Sequence, residues 1–158
     1  MKRLQTIMGG VLLTLLLSTL GCKKDPCKDV TCQNGGTCVD GKCNCSLPWE
    51  GTKCEVDARD KFAGAWSGTE NCGGGVENVS TTISKSSVEA IAILIDGQIR
   101  GRLTSSTTFE IPSQQINSGG TTVTISGNGV LNGNTLSLTI TYSVGGQGIT
   151  CSYSLTRQ

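Results

Sequence analysis

Nine cysteines and no histidine set much of the chemistry open to this chain of 158 residues. A thiol can close a disulfide, hold a metal as thiolate or carry a lipid as a thioether, and spacing and compartment separate these uses. Six of the nine, Cys27, Cys32, Cys38, Cys43, Cys45 and Cys54, fall within 28 residues that contain almost no aliphatic side chains. Such a segment cannot bury a core, and below about 40 residues disulfides or metals supply the missing stability. Structural zinc draws on CxxC pairs or histidine, neither of which occurs here. Disulfides are therefore expected, with no metal and no other cofactor. Six cysteines admit many pairings. Cys43 and Cys45 flank one residue, so in an extended segment they point the same way but are poorly placed to bond each other. Cys72 and Cys151 stand apart from this cluster, and a bridge between them would close a loop worth about 3 to 4 kcal/mol through the unfolded chain.

Catalytic groups are sparse. The lack of histidine removes the commonest general base, no GxSxG occurs, and no cysteine has a basic partner. The carboxylates Glu70, Glu77, Glu89, Asp96 and Glu110 are scattered over several strands and turns, although two that converged could form a glycosidase pair. The glycine-rich SGGTT and GGQG segments join strands rather than opening a helix, which argues against phosphate cradling. A chain that is not an enzyme is expected. Beyond the first 21 residues, Lys and Arg sum to eleven against twelve Asp and Glu, so no basic face for nucleic acid is implied.

Cys22 belongs to a different context. Met1-Lys2-Arg3 is a short basic start, and the apolar run IMGGVLLTLLLSTL after it has the length of a secretory h-region and ends at Gly21-Cys22. A small residue followed directly by cysteine resembles the lipobox of bacterial lipoproteins, although Thr19 and Leu20 depart from its commonest form. The resemblance implies cleavage after residue 21 and a diacylglycerol on the Cys22 sulfur, which would also remove the odd thiol from the count. Two or three acyl chains hold a protein on a membrane essentially permanently. Lys23, where many inner-membrane lipoproteins carry Asp, implies the outer membrane. The charged Lys23-Lys24-Asp25 is similar to signals that carry some lipoproteins to the cell surface, and equally suits a solvated tether over 22–26.

The spacing C-x4-C-x5-C-x4-C-x-C-x8-C, the NGGTC at Asn34 to Cys38 and Gly51 ahead of Cys54 resemble the EGF-like module, here spanning 27–55. The resemblance implies Cys27 with Cys38, Cys32 with Cys43, and Cys45 with Cys54. Pro48 stands before Trp49 where such modules usually carry glycine, so that turn should differ. Calcium-binding versions need an acidic cluster before the first cysteine and an Asn or Asp with an aromatic later; KKDP and Val39-Asp40-Gly41-Lys42 supply neither set. Calcium is not implied, and the module is expected to act as a stiff spacer.

The elements that must position everything else lie in 56–158. Period-2 alternation is clearest in TTVTISGNGVLNGNTLSLTITY and GITCSYSLTR. Val123, Ile125 and Leu131 would share a buried face with Leu136, Leu138, Ile140 and Tyr142, continued by Ile149, Cys151, Tyr153 and Leu155. Further strands are expected at Gly64 to Thr69, Val76 to Ser84, Val88 to Ile95, Gln98 to Thr104 and Thr108 to Ile111. Seven to nine strands without a convincing helix make a mainly β chain, with an antiparallel barrel or sandwich after the disulfide-rich module.

Asp60-Lys61-Phe62-Ala63-Gly64-Ala65-Trp66 resembles the start of lipocalins, where Phe or Tyr, Gly and Trp lead into an eight-stranded barrel. The resemblance implies that Arg157 packs over Trp66. Phe62 and Trp66 would equally serve the core of another β domain. The function expected first is that of an exported, lipid-tethered protein whose β domain meets an extracellular protein or glycan. The alternative is a lipocalin-like barrel carrying a small apolar ligand.

Overall fold

The computed structural model describes residues 24–158. The leader expected over 1–21 and the lipidation expected at Cys22 lie outside the described residues. Among the described residues no helix is long and apolar enough to cross a membrane.

The N-terminal module is held by covalent bonds rather than by a core. Strands β1 (Thr37–Val39) and β2 (Lys42–Asn44) form a hairpin around Asp40 and Gly41, both at positive φ, as a two-residue turn matched to strand twist requires. Cys38 and Cys43 face each other across this hairpin, yet each bonds elsewhere: the bridges are Cys27–Cys38, Cys32–Cys43 and Cys45–Cys54. A two-residue strand β3 (Trp49–Glu50) then pairs with β4 (Val56–Asp57).

From β4 the chain enters a single 3₁₀ turn, Ala58–Lys61, that fastens the module to the C-terminal β domain. Asp57 caps this turn by accepting from the Arg59 amide at 3.0 Å, and its carboxylate is gripped by the Arg59 guanidinium at 2.8 Å. Arg59 also donates to the carbonyl of Ser86, while Lys85 bridges Asp60 and Asp57. Lys61 pairs with Glu50, and the Ala58 amide donates to the Pro48 carbonyl, so both sides of the junction are tied together.

Burial opposes ionisation of Asp57, but the Arg59 hydrogen bonds and the Arg59 and Lys85 charges outweigh it and hold the carboxyl below its ordinary value of 3.8. A depressed folded value means that the stabilisation is complete above the ordinary range and is lost as pH falls through the folded one. Asp57→Ala should therefore cost about 3 kcal/mol at neutral pH. In urea titrations across pH it should also flatten the acid limb of the stability profile. A variant with unchanged stability would mean that the junction does not depend on this carboxylate.

Eight antiparallel strands make an up-and-down meander: β5 (Gly64–Asn71), β6 (Val76–Lys85), β7 (Ala92–Ile95), β8 (Ile99–Leu103), β9 (Thr108–Ser118), β10 (Thr121–Asn132), β11 (Thr135–Val144) and β12 (Gln147–Arg157). β12 returns to pair with β5, from Arg157 opposite Trp66 to Ser152 opposite Asn71, and this pairing closes a barrel. Inward-facing residues on alternate positions fill it, as the alternation predicts. Phe109, near the start of β9, sits in a slot made by absent side chains: a Cβ on Gly129 would lie 2.3 Å from its ring, and one on Gly101 would lie 2.8 Å away.

Two strand limits and one residue expected to be buried differ from expectation. Val88 is 94% exposed, because Ser86 caps a turn by accepting from the amides of Val88 and Glu89, and the strand starts only at Ala92. β9 runs past Pro112 to Ser118: the ladder shifts between Ile125 and Gly127, and this irregularity accommodates a proline that cannot donate. Ile149 is 51% exposed rather than buried, since the β11–β12 hairpin overhangs the barrel rim.

The two ends of the barrel are unlike. At the end where β5 begins, Ala58, Phe62 and Trp66 are fully buried as a plug, with Phe62 edge-on to Phe109 at 5.4 Å. The Trp66 indole donates to the Phe62 carbonyl at 2.7 Å, and the Arg157 guanidinium lies 5.5 Å over the indole, as expected. Arg157 also donates to the carbonyls of Asp60, Lys61 and Ala63. Alternating strand direction puts the turns at 72–75, 96–98, 119–120 and 145–146 at the other end, which carries no plug among the described residues.

Candidate functional site

The unplugged end holds a cavity of about 200 Å³. Its floor is apolar, made by Ile95, Leu138, Ile140 and Leu155, and its rim is polar. Each rim group is placed by strand parity. Glu70 shares the inward face of β5 with Trp66, and Tyr142 and Tyr153 continue the inward faces of β11 and β12; Thr81, on the inward face of β6 directly opposite Trp66, belongs to the deeper wall. Asp96 sits in the β7–β8 turn at positive φ, with its carboxylate accepting from the Thr82 amide at 2.9 Å.

The tyrosines reach toward each other and share a hydrogen bond of 2.8 Å between hydroxyls. Burial, this bond and the negative charge of Glu70 push Tyr153 far above the ordinary phenol range. Tyr142 is also raised, chiefly by burial, with the bond to Tyr153 working against it and the charges of Glu70 and Asp96 adding to it. Both phenols therefore stay protonated at neutral pH, and one hydroxyl in the pair keeps a proton to offer elsewhere. The Thr81 hydroxyl oxygen is buried without a hydrogen-bond partner. A buried hydroxyl left unpaired costs free energy unless something else completes it.

Of the carboxylates that looked scattered in the sequence, three gather at this end. Glu70 lies directly opposite Glu77 across the β5–β6 pair, and Asp96 joins Glu70 in lining the cavity. The other two go elsewhere: Glu89 pairs with Arg100 and Arg102, and Glu110 points outward opposite Arg102. Among the described residues Glu70, Glu77 and Asp96 have no salt-bridge partner. No three of the described His, Cys, Asp and Glu side chains are grouped to hold a metal ion.

Cys72 and Cys151 bridge at this same rim, tying the β5–β6 turn to β12 where those two strands close the barrel. The bridge thus keeps Glu70 beside Tyr153, its cross-strand neighbour. A second hollow, of about 320 Å³, lies over the plugged end, but its guanidinium is already committed to the indole and to three carbonyls. The cavity at the opposite end is the better candidate, because there the carboxylates of Glu70 and Asp96 lack salt-bridge partners.

No family model, curated protein or solved structure matches the chain. The site must therefore be read from its own geometry.

Proposed function

We propose that this chain is an exported, lipid-tethered binding protein whose barrel takes one small ligand at its unplugged end. The observation that carries it is a cavity whose apolar floor lies below the carboxylates of Glu70 and Asp96 and the phenols of Tyr142 and Tyr153. A pocket of this design buries a ligand's apolar body and fixes its polar end with a few placed groups. The first module is EGF-like and the barrel lipocalin-like; the three short-range bridges support the former, and the Trp66–Arg157 plug supports the latter. Lipid on Cys22 would anchor the chain at the outer membrane. The junction lies at the plugged end, so the module would hold the mouth facing away from that anchor.

Binding of a protein or glycan by the outer surface has less support. Apart from Val144 and Ile149, the exposed large apolar residues Val39, Leu47, Val56, Val76, Val88 and Val130 are spread over different strands and turns. Large docking patches need apolar side chains that are contiguous.

Ligand-observed NMR with a set of small amphiphiles and the mature chain tests the proposal against Val79→Trp, which puts an indole into the cavity. Hits that disappear in the variant, while its own spectrum stays folded, are expected. Hits indifferent to the variant, or none at all, would overturn the proposal.

A further inference from the structure

Resting on that function, we infer that the ligand is an organic ammonium: a small amine with one charged nitrogen and a compact apolar body. The charge pattern of the mouth carries the inference. Glu70 and Glu77 are direct cross-strand partners on one face, an arrangement that is destabilising unless a cation lies near. Asp96 adds a third carboxylate, and no lysine or arginine lines the cavity. The barrel has basic side chains, but Lys85, Arg100 and Arg102 are paired with other carboxylates. The uncompensated negative charge is thus concentrated where the cavity opens.

The remaining groups fit an ammonium head and not an anion. Two phenols line the cavity, and aromatic rings are compatible with a neighbouring cation. The Glu70 carboxylate at the wall can accept from its N–H groups. A carboxylate or phosphate head would meet Glu70 and Asp96 with no cation to receive it. A metal ion is disfavoured, because the described acidic side chains are not grouped to coordinate one.

Size limits the apolar part. A dry cavity of about 150 Å³ accommodates benzene, so the 200 Å³ here suits one ring or a chain of roughly six carbons. Longer tails would have to lie along the overhanging inner face of β11 and β12, where Val144 and Ile149 are about half exposed.

The test uses three probes with one tail and different heads: hexylamine, hexanol and hexanoate, titrated calorimetrically into the mature chain at neutral pH. Hexylamine should bind at least tenfold tighter than hexanol, and hexanoate should bind weakest. Glu70→Gln should lower hexylamine affinity about tenfold, leave hexanol unchanged and not lower the melting temperature, since it removes a repulsion. Preferential binding of hexanol or hexanoate, lost in Val79→Trp, would overturn the amine assignment and leave the cavity's role standing. Equal affinity of wild type and Glu70→Gln for hexylamine would also overturn it. If none of the three binds, the amine assignment fails; if the amphiphile set is also silent, the carrier function fails with it.

Discussion

Alanine in place of Trp66 is expected to lower the unfolding free energy by about 4 kcal/mol, within the range for aromatic-to-alanine changes in packed cores. Trp66 is 1% exposed and does three things at once. Its rings fill the plugged end, its indole N–H satisfies the Phe62 carbonyl, and its face receives Arg157. Loss of the rings leaves a void beside Phe62 and Phe109, whose edge-to-face contact loses support on one side. Trp66→Phe separates these roles: it keeps much of the apolar bulk but removes the donor to Phe62, so a loss of about 1 to 2 kcal/mol is expected. Urea denaturation of the two variants measures both. An alanine variant within about 1 kcal/mol of wild type would mean that the plug does not close the barrel.

The double variant Cys72→Ser, Cys151→Ser should cost about 4 kcal/mol, the amount the chain-entropy argument gives for so long a loop. The two cysteines are 79 residues apart, against separations of 11, 11 and 9 for the three bridges of the first module. Constraint of the unfolded chain grows with loop length, so this bridge should be the most stabilising of the four. Changing both residues avoids a stray thiol. The seam between β5 and β12 should loosen first at the rim, seen as faster amide exchange at Glu70 and Tyr153 than at Trp66 and Leu155. A loss below about 1 kcal/mol, with uniform exchange along the seam, would show that the strand ladder holds the closure without the bridge.

Much of the barrel was legible because alternation is a local property. The segment from Thr121 to Val144 reads as a hairpin from its own pattern and turn, and it is one. The choice between barrel and sandwich was not legible, since both use the same alternation. It depends on β12 pairing with β5, a contact between residues roughly 90 apart in sequence. Misplaced limits had local causes that compete with the pattern: a serine cap before Val88, a shifted ladder that absorbs Pro112, and a hairpin that carries Ile149 beyond the rim.

The site was harder to see for the same physical reason. Glu70, Thr81, Asp96, Tyr142 and Tyr153 come from five elements or turns, and only the strand register brings them to one cavity. One signal was present. Glu70 has the parity of Trp66, and Tyr142 and Tyr153 fall on faces read as buried, so polar groups were pointing inward. A polar group on an inward face either meets a partner inside or awaits one.

Native mass spectrometry of the mature chain, purified from the envelope of an exporting bacterium and then incubated with hexylamine, tests the central claim most directly. A ligand in the barrel predicts added mass on the order of 100 Da, suited to so small a cavity, that is lost on denaturation and absent from Val79→Trp. A bare polypeptide mass both before and after incubation would contradict it.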